Sequence, residues 1–530
     1  TLSSSSAASD VYKRQGYTTT GASNTYVGHS AGKGASGAET HNTGVGANAL
    51  LKITDGGYNV SLGSRSGEDL TTGDFNVFVG DFAGHASVDG DKNIAIGHAA
   101  MSANVTTDGS VAVGYQALVS LTGAVGCTAI GMDSGENVTT ADYSTALGYN
   151  TLGGNSSTAL TGNDNTALGA NAGRDIEGAA EGNVLVGKDA GMAITTGSLN
   201  VLIGRDAGTA LLDETHNTAI GTDALGGSSL VDQTVIIGSQ AGSGAMEATA
   251  DGTVAVGYAA LQTVTSGTQN TAVGYASMKE TTQGGYNTAI GYNVMYRDNG
   301  AANTSNTFIG ANAASGDWSG AACTSNTGVG AGVMQGAMIG ATNNTAVGLD
   351  GLNAITTGDN NTGLGRTALA GVTTGVQNTA VGSFAGDSIQ GGSNNTCIGR
   401  SADTSGVSAA NETVIGANAA GTGTNEIALG DTNVSAIKAQ VTSITAYSSD
   451  ERTKKDVKDY DLKGVDFIKD LQLKTYLYKN PVDFPDEIRH SRWDKKDEDG
   501  NLVNERPSDP KETQVGFIAQ EVEAALAKHG

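Results

Sequence analysis

The chain has 530 residues but a mass of only 52.9 kDa, so its average side chain is very small. Glycine supplies 79 residues and proline only 4, which excludes collagen and argues against a series of ordinary globular domains. The net charge of −25 disfavours a nucleic-acid partner, because there is no basic stripe to displace phosphate counterions. No apolar run is long enough for a transmembrane helix, so we expect no membrane insertion.

The first 15 residues, TLSSSSAASDVYKRQ, differ from everything that follows. The segment Asp10–Gln15 resembles the translation of a transposase mosaic-end sequencing adapter. We therefore treat residues 1–15 as an adapter-like artefact and expect the chain to be a fragment that is open at both ends.

Residues 16–433 form a Gly-rich repeat whose unit is close to Asn-Thr-Ala-Val-Gly, as in Asn270–Met278. The glycine of this unit occurs about two dozen times from Gly28 to Gly430, most often at intervals of 17 residues. Such periodicity predicts a solenoid, in which each unit buries its apolar face only against its neighbours. Seventeen residues are too few for two helices and a turn, so we expect each coil to contain two short strands and two tight turns.

Within one unit, strand alternation places Ala and the repeat Gly on one face and Thr and Val or Ile on the other. We expect the β-branched residue to fill a narrow core and the Gly to take a positive φ at a bend. The Asn before the strand is expected to stack into a ladder of side-chain amides, and Thr71–Asn76 is typical of the second turn. We attribute the absence of proline from the repeat to its lack of a backbone N–H, which each coil needs for hydrogen bonds to the adjacent coil.

This repeat resembles the head repeats of trimeric autotransporter adhesins and the shafts of phage tail fibres. The resemblance implies a mostly β fold, namely a left-handed parallel β-roll of about 24 coils with three chains side by side. At ~4.8 Å per coil the shaft would be roughly 115 Å long.

No spacing of Cys or His in the repeat indicates a metal site, and we expect no cofactor. The scattered carboxylates are interpreted as solvated, so no turnover enzyme activity is expected in the shaft. Two features leave a binding role open. Tyr follows the repeat Gly at five positions, which is compatible with a glycan-stacking stripe or with ordinary half-exposed rings: Tyr115, Tyr149, Tyr258, Tyr275 and Tyr292. Trp318 lies in a longer interval that is a candidate receptor-binding loop.

After Gly430 the composition changes, and all four prolines lie beyond residue 448. Residues 434–448 alternate apolar and polar side chains, which predicts a strand-like neck. Within residues 449–530, the pattern predicts a helix over Val465–Leu471, a strand over Leu473–Lys479 and a strand leading into a helix over Gln514–Leu526.

Two motifs in this segment carry a second resemblance. Ser449-Asp450-x-Arg452-x-Lys454 is followed about 60 residues later by the sequence GFIAQEV, which begins at Gly516. Together they resemble the intramolecular chaperone auto-processing domain that ends endosialidases and many phage tail fibres and spikes. The resemblance implies a trimeric α/β chaperone that assists assembly of the preceding fibre and then cuts itself off.

The roles implied by this resemblance can be assigned residue by residue. Ser449 would be the nucleophile, Lys454 its base, and Ser448–Ser449 the scissile bond. Asp450 and Arg452 match the motif and could form an ion pair, without a chemical step. A separate set is expected to serve packing and trimer formation rather than catalysis: Gly516, Gln520 and Glu521. The family continues beyond this point, so the resemblance predicts a C-terminally truncated chaperone.

The leading hypothesis is a homotrimeric phage tail fibre located in the virion, which binds a host surface receptor, either a glycan or an outer-surface protein. Its only enzymatic activity would be a single self-cleavage by a Ser–Lys dyad. A bacterial trimeric surface adhesin, located outside the cell, and a depolymerase tailspike remain alternatives.

Overall fold

The fold is taken from a computed structural model. The structure describes residues 23–34, 38–154, 158–297, 302–318, 320–436, 470–471, 474–476, 498–499, 514–516 and 518–529. The chain divides into two compact units, Thr1–Ala436 and Ile437–Gly530. The repeat therefore lies in the first unit, and the charged C-terminal segment lies in the second.

The first unit is a β-solenoid that contains a single 24-stranded parallel sheet. Strands of successive coils pair in register, for example Thr362 with Thr379 and Leu364 with Val381. The strands are β1 Thr25–Val27, β2 Thr43–Val45, β3 Val60–Leu62, β4 Val77–Val79, β5 Ile94–Ile96, β6 Val111–Val113, β7 Thr128–Ile130, β8 Thr145–Leu147, β9 Thr166–Leu168, β10 Val184–Val186, β11 Val201–Ile203, β12 Thr218–Ile220, β13 Val235–Ile237, β14 Val254–Val256, β15 Thr271–Val273, β16 Thr288–Ile290, β17 Thr307–Ile309, β18 Thr327–Val329, β19 Thr345–Val347, β20 Thr362–Leu364, β21 Thr379–Val381, β22 Thr396–Ile398, β23 Thr413–Ile415 and β24 Ile427–Leu429.

The solenoid is confirmed, but the expectation of two strands per coil is wrong. Each described coil has one three-residue strand, and the rest consists of turns, bends and single bridges, with one 3₁₀ turn at Ala248–Ala250. The physical reason is a recurrent left-handed backbone, as at Thr367 (φ 54°), Leu369 (φ 54°) and Gln377 (φ 58°) in one coil. Residues with positive φ cannot continue an extended strand.

The repeat glycine has the predicted role. Gly365 has φ +138°, and a Cβ added there would lie 2.4 Å from the carbonyl oxygen of Gly382 in the next coil. The same contact recurs along the solenoid, so stacked coils exclude any side chain at this bend.

The asparagine ladder is also confirmed. Asn378 is fully buried, and its Oδ1 accepts hydrogen bonds from the backbone N–H (3.0 Å) and Nδ2 (2.9 Å) of Asn395 one coil later. Its own Nδ2 donates to Asn361 Oδ1 (3.0 Å) and to the Gly392 carbonyl (2.8 Å). Each buried amide is therefore satisfied by adjacent coils. The described ladder ends at Glu412, whose N–H donates to Asn395 Oδ1.

The core lies on the opposite side of the strand from the one predicted. The middle residue of the strand, such as Ala380, is fully buried, whereas the third residue, Val381, is 38% exposed. The core is instead filled by Ala and by larger apolar residues of the turns, such as Leu369 and Val372. Alternation correctly predicted which residues share a face, but the β-branched residue at the strand end points outward.

Aromatic residues in the core are accommodated by nearby glycines, which have no side chain. Phe308 replaces the usual Ala at the middle of β17, and a Cβ on Gly328 in the next coil would lie 2.6 Å from its ring. Trp318 is 1% exposed and packs edge-on against Phe308, with ring centroids 5.6 Å apart. The side chain of Trp318 is therefore part of the core and is not presented to a receptor, which corrects the expectation for that loop.

In the second unit the described elements are β25 (Lys474–Tyr476), β26 (Gln514–Gly516) and helix α1 (Ala519–His529). β25 and β26 pair antiparallel, with Lys474 opposite Gly516. These positions confirm the strand expected within Leu473–Lys479 and the strand-to-helix segment expected from Gln514. Among the described residues, no helix combines the length and apolarity needed to cross a bilayer.

Candidate functional site

The predicted processing site lies outside the described residues. This holds for the nucleophile Ser449, its base Lys454, the preceding Ser448, and the motif residues Asp450 and Arg452. The predicted neck, residues 434–448, is described only from Val434 to Ala436, where it has no strand structure.

The second motif is described and belongs to one small arrangement. Gly516 ends β26 opposite Lys474, and Glu521 lies in the first turn of α1. Lys474 Nζ lies 3.4 Å from Glu521 Oε1, so one ion pair joins the helix to the neighbouring strand. Gln520 is exposed at the start of the helix. An acidic residue in the first helical turn is also favoured by the helix dipole.

A second ion pair lies at the other end of the helix, where Lys528 Nζ contacts Asp470 Oδ2 at 2.7 Å. Asp470 and Glu521 thus form ion pairs with lysines near opposite ends of α1. Ala525, which lies between Glu521 and Lys528 in the helix, is buried. All four charged side chains are partly exposed, so these contacts define local geometry rather than a desolvated reaction centre.

The shaft has a distinctive outer surface that the sequence interpretation missed. We define the outer strand face as the first and third residues of strands β1 to β24. The first residue is Thr, Val or Ile in each strand, and the third is Val, Ile or Leu. Exposure of the third residue is 41% at Val27, 40% at Ile130 and 40% at Ile398. The available signal was the recurrence of Val, Ile or Leu two residues after a Thr, Val or Ile in each repeat.

Three of the five tyrosines that follow the repeat Gly form a short ladder, and Tyr115 stacks on His98. The rings of Tyr258, Tyr275 and Tyr292 are half-exposed and stack with centroid separations of 5.2 and 5.4 Å. Their faces are therefore largely covered by one another, and their edges point to solvent. A sugar stacks on an aromatic face, so this arrangement favours ordinary half-exposed rings over a continuous glycan-stacking stripe.

Carboxylates on the shaft mostly interact within the solenoid. Asp74 Oδ1 accepts the N–H of Gly57 at 2.6 Å, and Asp91 Oδ1 accepts the N–H of Asp74 at 2.7 Å. Burial, and then the neighbouring Asp403 carboxylate, raise the pKa of Asp387 above its ordinary value. Across the part of the chain that the structure describes, no group of three or more His, Cys, Asp or Glu residues is arranged to hold a metal ion.

These observations define the class of protein: a parallel β-solenoid followed by a separate C-terminal unit that contains a strand pair and a helix. Residues 449–530 match the family described as chaperone of endosialidase. A β-solenoid followed by a domain of this family is consistent with a phage tail fibre or tailspike. No curated protein shows significant similarity to the chain.

Proposed function

We propose that the chain is a structural, host-surface-binding phage tail fibre whose C-terminal domain drives trimeric assembly and then removes itself. The observation that carries this proposal is the position of the family match, which begins at Ser449. That residue is the predicted nucleophile, and the bond before it, Ser448–Ser449, is the predicted cleavage site.

The proposed chemistry follows from this position. Because the scissile amide is the nucleophile's own, attack of Ser449 Oγ on the Ser448 carbonyl carbon transfers the acyl group from nitrogen to oxygen. Lys454 in its neutral form accepts the hydroxyl proton and returns it to the departing amine. Water then hydrolyses the ester, which leaves a carboxylate on Ser448 and a free hydroxyl on Ser449.

Assembly before cleavage has a physical rationale. Three shafts that must be aligned coil by coil are expected to assemble slowly and to expose apolar surface while they do so. A C-terminal domain that associates first would set the register of the three chains, and its removal would make the assembled state kinetically irreversible.

The cleavage proposal is tested by mass spectrometry of the full chain and of two variants, Ser449→Ala and Lys454→Ala. We expect the parent to give a shaft that ends at Ser448 and a fragment that begins at Ser449, whereas both variants remain intact. Thr475→Ala, in the same domain, serves as the matched control and is expected to be cut. An intact parent, or a cut at another bond, would refute the processing step.

Host binding is tested separately with the cleaved shaft. Fluorescently labelled shaft should bind the surface of susceptible bacteria and compete with intact virions for adsorption. Labelled shaft that binds no bacteria that the virions infect would contradict a receptor-binding role and leave the shaft as a spacer.

A further inference from the structure

The outer strand face is unusual because it combines solvent exposure with a purely uncharged, mainly apolar composition. Its third-position residues include Val347, Leu364, Val381 and Ile398 on four successive coils, each between 38% and 42% exposed. A single exposed apolar side chain needs no explanation, but a Val, Ile or Leu at the same outward position of all 24 strands, half-buried or exposed in each, does.

From this face we infer that the solenoid binds further copies of the same chain, and that the outer strand face is the surface along which the shafts pack. The inference rests on the proposed trimeric assembly and adds to it the surface that the copies share. Chain-to-chain contact would bury the Val, Ile and Leu side chains that the isolated solenoid exposes.

The size of the face fits this occupant. With ~4.8 Å between strands and about 10 Å for three extended residues, 24 strands provide a footprint of roughly 1,150 Å² per chain. A stable protein interface buries about 800 Å² per partner. The face therefore exceeds this area when the contacts of one chain with both neighbours in a trimer are taken together.

Charge distribution supports the same occupant. The chain has a net charge of −25, so two copies repel each other over most of their surfaces. The outer strand face holds no charged residue in any of the 24 strands. Two copies of an acidic chain repel each other least when they meet through a surface without charged residues.

The periodicity of the outer strand face favours a second copy of this chain over an unrelated protein as its partner. The face repeats with each coil, and a second shaft in parallel register has the same repeat along its whole length. Parallel sheets are commonly covered on both sides and then have apolar residues on both sides of the strand, as here with Ala380 inward and Val381 outward.

The test measures thiol reactivity at a face position and at a matched position in the same repeat. Leu364→Cys is on the outer strand face, whereas Thr357→Cys replaces an exposed threonine in the turn between β19 and β20. The native thiols Cys127, Cys323 and Cys397 are buried, and burial raises the pKa of Cys397 to about 12. The parent should therefore react slowly at pH 8.

In the assembled shaft we expect Leu364→Cys to react at least tenfold more slowly than Thr357→Cys, and the difference to vanish in denaturant. Val381→Cys with Thr374→Cys provides a second pair one coil further along. Equal rates in an oligomeric shaft would overturn the inference while leaving the proposed function standing. A monomeric shaft would also overturn the inference, whether or not the outer strand face is protected. Whether the same sample is cleaved after Ser448 reports independently on the proposed function.

Discussion

The shaft and the C-terminal unit obtain stability in different ways. The shaft holds all but four of the 79 glycines and repeats one set of contacts, so a residue such as Asn378 bonds to its equivalents one coil before and after. The C-terminal unit holds all four prolines and joins segments distant in sequence, as when β25 pairs with β26. A substitution in the shaft therefore removes one copy of a contact that the other coils retain, so its effect is local. A substitution in the C-terminal unit removes a contact that occurs once.

The largest expected effect concerns the outer strand face. Leu364→Asp with Val381→Asp places two carboxylates per chain where we infer that copies meet, so a trimer would bury six charges. It would also lose roughly 0.6–1.2 kcal/mol of apolar burial per side chain, because only 39% and 38% of these residues is exposed before association. We expect sedimentation to show dissociated or frayed shafts. Thr357→Asp with Thr374→Asp adds the same charge to exposed turn positions and should leave the oligomer intact. Equal sedimentation of the two double variants would argue against the face.

The next effect concerns the repeat glycine. Gly365→Ala forces a side chain into φ +138° and against the carbonyl of Gly382, at a cost of about 2–6 kcal/mol to the coil. Hydrogen exchange measured by mass spectrometry should show faster exchange in this and adjacent coils. The control Gly406→Ala has no atom within 4 Å of the added Cβ and no positive φ, so exchange should be unchanged. Similar exchange in both variants would show that the bend tolerates a side chain.

A smaller effect is expected in the asparagine ladder. Asn378→Ala removes the acceptor for the N–H of Asn395 and the donor to the Gly392 carbonyl, at about 1–3 kcal/mol for each group left unpaired. Asn378→Thr should cost less, because Thr234 occupies an equivalent position and its Oγ1 still donates to Asn217 Oδ1. Local hydrogen exchange should rank the parent, the Thr variant and the Ala variant in that order. A reversed order would contradict the ladder's role.

The smallest effect is expected in the C-terminal unit. Glu521→Gln removes the ion pair with Lys474, whose partners are 43% and 40% exposed, so stability should change by less than about 1 kcal/mol. Thermal unfolding should show this small change, which should decrease further at high salt. Self-cleavage should persist, since we assign Glu521 a packing role. Complete loss of cleavage in a folded Glu521→Gln protein would assign it a chemical role instead.

The sequence predicted those parts of the fold that depend on interval and residue chemistry. A glycine that recurs mostly every 17 residues indicates that the coils approach each other closely at that position, as at Gly365. An asparagine with the same interval is placed to form hydrogen bonds with its equivalents in the adjacent coils, as at Asn378. The direction of the core was not predictable in the same way. The alternating pattern predicts that Ala380 and Val381 lie on opposite faces of the strand, but it does not predict which face packs into the core.

The same limit explains the other corrections. Trp318 lies in a longer interval, which suggested an exposed loop, but the core accommodates its ring beside Phe308. The second expected strand is absent from each described coil because the turns contain buried left-handed residues such as Leu369, and no local propensity of Leu predicts a positive φ. The candidate processing residues were predicted from a motif, and that prediction stands until cleavage is measured.

The proposed function requires that three shafts assemble and that the C-terminal domain is then cut from each chain. Native mass spectrometry of the purified protein tests this claim most directly, because it reports the number of chains and the terminus of each together. We predict a complex of three chains that each end at Ser448. Single chains, or a complex of chains still carrying residues 449–530, would contradict it.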